Sequence, residues 1–164
     1  MRKTFLWCQV LALFFCLLSV SSTNTRADEP QRFQIGLDYA SFREYADAAQ
    51  SYVEIYYSFN RKQLEFVSTD EGLVATVLMQ LSVSDEEGNE VINRMWNTMS
   101  RVEDAGDAKS IDYLIIDQVG IDLKPGDYRI RLKATDVNSM AFGEVIYEAR
   151  VQEFSTQKLQ LSDL

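Results

Sequence analysis

The sequence has 164 residues, a formal charge of −9, no histidine and two cysteines. Without histidine there is no Ser-His-Asp triad, no imidazole-held metal or haem, and no His switch near neutral pH. The length suits one domain, and the acidic balance sets the chain against nucleic acid, whose phosphates it would repel.

The chain opens as a secretory signal peptide. Arg2 and Lys3 supply a positive start, residues 5–20 are almost wholly apolar, and Ser, Thr and Asn follow. Two cleavage points fit, after Ser21 or after Ala27; Ala27 is preferred because Asp28, Glu29 and Pro30 then begin a polar mature end. The sixteen residues of this segment fall short of the ~20 that a membrane-spanning helix needs. Cys16 follows Leu13, Phe14 and Phe15, not the small residues of a lipobox. The expected organisation is a signal segment over 1–27 and one domain over 28–164. Cleavage removes both cysteines and three cations, leaving a charge of −12 from thirteen basic and 25 acidic residues. Such a domain rests on its apolar core, with no disulfide or thiolate to help it.

Along the domain, apolar residues recur at every second position between turn signals, the signature of strands. Phe33, Ile35, Leu37 and Tyr39 alternate first. Ser41 to Glu44 spells a capping box (SFRE), which predicts a helical turn or two toward Ala49. Val53, Ile55, Tyr57 and Phe59 share the next stripe, and a short run over 64–67 follows. Leu73, Ala75, Val77, Met79, Leu81 and Val83 make the longest stripe, ending in the hairpin loop DEEGN over 85–89. The return strand sets Ile92, Trp96 and Val102 on one face and Val91, Met95 and Met99 on the other. A polar loop is expected over 103–110, then a strand over 111–123 broken near Gly120. Lys124, Pro125, Gly126 and Asp127 form a turn. Tyr128, Ile130, Leu132 and Ala134 then face inward, with Arg129, Arg131 and Lys133 opposite. Asp136 to Ser139 turns the chain into a last strand in which Val145, Tyr147, Ala149 and Val151 alternate with Glu144, Glu148 and Arg150. About eight evenly spaced strands predict an all-β, immunoglobulin-like antiparallel sandwich.

The mature chain resembles the N-terminal module of the GWxTD-domain family of exported bacterial proteins. The resemblance lies in FQIGLDYASF at 33–42, YVEIYYSFNRKQLEFV at 52–67, the DEEGN hairpin within 73–102, LKPGDYRIRLKATDVNS at 123–139 and LSDL at 161–164. The GWxTD motif itself is absent, and Trp7 and Trp96 stand in other contexts. The chain stops at Leu164, about where the family's second region would begin, so it looks like an isolated or truncated first module. The resemblance implies an envelope location, periplasmic or extracellular, and a sandwich shape. It carries no catalytic residues.

Candidate sites are few. The acidic run 85–90 has carboxylates that calcium would accept, but lacks the EF-hand spacing and its closing bidentate Glu, and reads as a solvated hairpin tip. Asp136 and Asn138 fit an Asx-turn. Carboxylate pairs are inevitable among 25 acidic residues and indicate no hydrolase by themselves. The five lysines beyond residue 27 lie in turns or on polar faces, unsuited to a Ser-Lys dyad. The cations of 129–133 are expected to pair across the last hairpin with Glu144 and Glu148. Tyr52 and Tyr56 share a strand face with Glu54 and Ser58, and Trp96 shares one with Arg94 and Thr98. These three aromatics are the candidate face for a partner protein or a sugar, against the plain alternative that strands favour aromatics anyway. The expected function is a non-enzymatic interaction or structural module of the cell envelope, with a carbohydrate- or small-ligand-binding module second and a carboxylate hydrolase third. Neither cofactor nor metal is expected.

Overall fold

The computed structural model describes residues 34–154 other than 45, 48, 71, 111 and 112. The expected signal segment, its Ala27 cleavage point and Phe33 lie outside the described residues. Eight strands are described: β1 (Ile35–Arg43), β2 (Ser51–Asn60), β3 (Val67–Thr69), β4 (Gly72–Asp85), β5 (Glu90–Val102), β6 (Leu114–Leu123), β7 (Gly126–Asp136) and β8 (Phe142–Val151). A 3-10 turn, Arg61–Gln63, precedes β3, and one helix, α1 (Ala105–Ser110), lies between β5 and β6. No described helix is long and apolar enough to cross a membrane.

Two antiparallel sheets pack face to face. One has the order β1-β2-β6; the other runs β4-β7-β8, with β5 on the free side of β4 and β3 beside its first residues. Hairpins join neighbours within a sheet, while the connections after β2, β5 and β6 cross between sheets, giving an immunoglobulin-like sandwich.

The inward stripes follow from side-chain alternation. Val53, Ile55, Tyr57 and Phe59 from β2 are at most 1% exposed, and so are Ala75, Val77, Met79, Leu81 and Val83 from β4. Ile130, Leu132 and Ala134 from β7, with Ile121 and Leu123 from β6, complete the core. Where immunoglobulin domains often carry a disulfide between sheets, this core cluster has aliphatic side chains, Met79, Phe59 and Tyr57 among the described residues.

Side chains close both lateral openings of the sandwich. On one side the Tyr39 hydroxyl donates to the Arg150 carbonyl (3.3 Å) and accepts from the Arg150 amide (3.0 Å), while Ser51 Oγ donates to the Gln152 carbonyl at 2.7 Å. On the other, Arg94 Nη1 donates to the Gly120 carbonyl at 2.7 Å.

Several local expectations need correction. The capping-box residue Ser41 is buried in β1, and the described residues of 44–50 form turns instead of a helix, with Asp47 accepting from the Gln50 and Ala49 amides. The polar loop at 103–110 contains α1, started by Asp104, whose carboxylate accepts from the Asp107 amide at 2.9 Å. Ala108 is buried and Arg61 Nη2 donates to the Asp107 carbonyl at 2.9 Å, but one buried residue makes no apolar stripe to announce the helix. Finally, β6 runs unbroken through Gly120, which pairs with Glu54. Glycine is required there by close approach: a Cβ would stand 2.1 Å from the Tyr52 hydroxyl, which lies across the strand. The aromatic ring covers the backbone that glycine leaves bare.

The PGDY turn builds a tyrosine corner at the start of β7. Tyr128 reaches back to donate to the Lys124 carbonyl at 3.0 Å, fixing the crossing from β6 to β7. Burial and the neighbouring Asp85 carboxylate both push this phenol above its ordinary pKa. Tyr128→Phe keeps the ring and deletes the bond. It is expected to lower unfolding free energy by about 1 kcal/mol with an unchanged far-ultraviolet spectrum, read from urea titration.

Candidate functional site

β2 is the central strand of its sheet, so its even-numbered residues form the middle of an outer face. The register sets Asp38 beside Tyr56, Ala40 beside Glu54 and Phe42 beside Tyr52 from β1; from β6 it sets Asp122, Gly120, Gln118 and Ile116 beside Tyr52, Glu54, Tyr56 and Ser58. Tyr52 and Tyr56 therefore lie on one surface, each half-buried. The Phe42 and Tyr52 rings stand 6.5 Å apart. The Tyr56 hydroxyl donates to the Glu54 carboxylate, and that bond, the largest influence on it, raises the phenol's pKa. Tyr56 is thus held neutral and turned along the strand.

Beside Tyr56 a shallow depression of about 300 Å³ is lined by Gly36, Leu37, Asp38, Ser58, Leu114 and Ile116. Leu114 is 49% and Ile116 69% exposed, unusual values for large aliphatics on a regular strand. Three acids (Asp38, Glu54 and Asp122) border the aromatics on the same face.

Trp96 is not part of that surface. It points inward from β5, its ring 5.9 Å from Tyr57, and its Nε1 donates to the Tyr57 hydroxyl at 3.0 Å. That hydroxyl in turn donates to Asp117 at 2.9 Å and lies 3.2 Å from Thr98 Oγ1. The structure thus joins two of the three candidate aromatics and gives the third to a polar knot in the opening between the sheets. Ile116 and Leu114 were missed from the candidate face, although their alternation with Ile115 was the available signal.

The other motifs resolve into structure. Asp85 accepts from the Glu87 and Asn89 amides and the Asn89 side chain, which together hold its pKa down. Gly88 closes that turn at φ 85°, a left-handed angle that glycine takes without strain. Arg129 faces Glu148 and bonds it at 2.7 Å, but both are over 60% exposed, so the pair adds under about 1 kcal/mol. Lys133, opposite Glu144, sets its ammonium 5.0 Å over the Phe142 ring. Among the described residues no three His, Cys, Asp or Glu side chains converge as a metal site would require. Compared with known proteins, the chain matches no family model and no curated sequence.

Proposed function

We propose that this chain is an exported, non-enzymatic interaction module of the bacterial cell envelope, and that its contact surface is the outer face of β1, β2 and β6. The observation that carries the reading is the single outer face with Phe42 and Tyr52 toward one end and Tyr56 beside the exposed Leu114 and Ile116 toward the other. Half-buried tyrosines next to exposed aliphatics give large apolar contact at little cost in side-chain entropy. The bordering Asp38, Glu54 and Asp122 suit a partner that brings an apolar side chain flanked by lysine or arginine. A sugar would call for several polar groups converging on its hydroxyls, whereas the surface of the depression beside Tyr56 is mainly apolar. Export rests on the leader pattern of 1–27, and the envelope on the resemblance to the GWxTD-family module.

The test places a photo-crosslinking residue at position 116 of the full chain in its own cells, with position 131 on the opposite sheet as control. The expected result is an adduct with one envelope protein from 116, at least tenfold weaker after Tyr56→Ala and absent from 131. Equal labelling from both positions, or recovery of the chain with the cytoplasm, sinks the proposal. Saturable glycan binding that disappears in Tyr56→Ala would replace the protein partner with a carbohydrate.

A further inference from the structure

β5 is a sheet edge of unusual character. It runs for 13 residues, pairs with β4 on one side, and meets no strand on the other among the described residues. Natural sheets blunt such edges with short strands, covering loops or inward-pointing charges. The β1 and β8 edges are tied to each other by Tyr39 and Arg150. The inward cation of β5, Arg94, is drawn to the Gly120 carbonyl. Met95 and Met99 on its outer side are 59% and 66% exposed.

The order of residues along this edge is self-complementary. From Ile92 to Val102 the pairing with β4 is regular, and Asn97 is the midpoint. In an antiparallel pair of two copies with the two-fold axis at Asn97, each residue meets the one equally far beyond the centre. On the outer face Asn97 then meets itself, Met95 meets Met99, and Asn93 meets Arg101. On the inner face Ile92 meets Val102, Trp96 meets Thr98, and Arg94 meets Ser100. Within 92–102 each row thus contains one apolar pair, and no like charges oppose. Arg101 arrives beside Asn93, whose side chain is bonded to Glu90 at 2.9 Å, so a cation reaches an acid at each end. Across these 13 residues two arginines face one glutamate, a local positive excess in a chain of net −9.

We propose that two copies of this chain associate by antiparallel β5–β5 pairing about a two-fold axis at Asn97, fusing their larger sheets into one continuous sheet. The main chain supplies the affinity and the palindromic side chains set the register. This surface lies on the sheet opposite the Tyr52 and Tyr56 face, so the proposal stands independently of the partner read there.

Thiol scanning tests it in the full chain with Cys8 and Cys16 both changed to Ser. Opposed residues in an antiparallel pair have Cα atoms about 4.5–5.5 Å apart, inside the disulfide range. Asn97→Cys is expected to form a disulfide-linked dimer under mild oxidation at least tenfold faster than Met95→Cys or Met99→Cys alone, since each of those lies four residues from its own copy. Mixing the Met95→Cys and Met99→Cys chains should restore the fast rate, a second measure that needs no change at Asn97. Circular dichroism confirms that each variant is folded. Equal rates at the three positions, or no acceleration on mixing, overturn the proposal.

Discussion

Asp136→Ala is expected to lower the unfolding free energy by about 4 kcal/mol, which for a domain of this size moves the thermal midpoint down by about 10 °C. The side chain is fully buried at the end of β7. Its carboxylate accepts from the Ser139 hydroxyl at 2.6 Å, the Asn138 amide at 3.1 Å and, 71 residues back along the chain, the Glu65 amide at 2.8 Å. Asn138 returns the tie by donating to the Glu65 carbonyl at 2.8 Å. Alanine leaves three donors without this acceptor in a part-buried site. The cost is therefore that of stranded polar groups, more than the net value of three exchanged bonds. Asp136→Asn keeps the shape and one acceptor but presents an NH2 to a donor, so about half the loss is expected. Urea unfolding followed by Trp96 fluorescence measures both. A midpoint for Asp136→Ala equal to wild type would show that the tie between the two loops contributes nothing.

Tyr57 carries the second large effect. Its ring is 1% exposed between the sheets, and its hydroxyl organises Trp96, Thr98 and Asp117. Tyr57→Ala removes the ring and the knot, and about 4 kcal/mol of stability is expected to go with them. Tyr57→Phe isolates the hydroxyl: about 1–2 kcal/mol, with a shift in Trp96 emission as the indole N–H loses its acceptor. Burial is the main cause that raises this phenol's pKa. Because the folded state then holds the proton more tightly than the unfolded chain, the contribution is complete below the unfolded value of about 10 and is lost as pH rises through the folded one. Wild type should accordingly lose more stability above pH 10 than Tyr57→Phe does. Parallel pH profiles of the two proteins would refute that assignment.

How much of this was legible beforehand follows from the range of each signal. The stripes of β2 and β4 were readable because a strand with one buried face writes its period into every second residue. Parity likewise set Tyr52 and Tyr56 on one surface. The same rule placed Trp96 beside Arg94 and Thr98, but not against Tyr57, 39 residues away, because contacts across the sandwich leave no local pattern. Asp136 read as the head of an Asx-turn, which it is. Its second task, holding the loop at Glu65, appears only once the fold brings the segments together. The false helix at Ser41 and the missed helix α1 share a cause. A four-residue capping motif says nothing about burial, and a six-residue helix is too short to show a period of 3.6. Gly120 looked like a break because its cover, Tyr52, comes from another strand.

The clasp between Tyr39 and Arg150 spans 111 residues. A chain made from its N-terminus onward can pair β1 with β2 early but cannot close this clasp until β8 has been synthesised. Through nearly the whole of translation β1 lacks the neighbour that seals its outer edge, and the finished sandwich is out of reach. The clasp therefore closes late, and the Arg150 amide is a natural reporter, by hydrogen exchange, of the moment when the two ends of the domain meet.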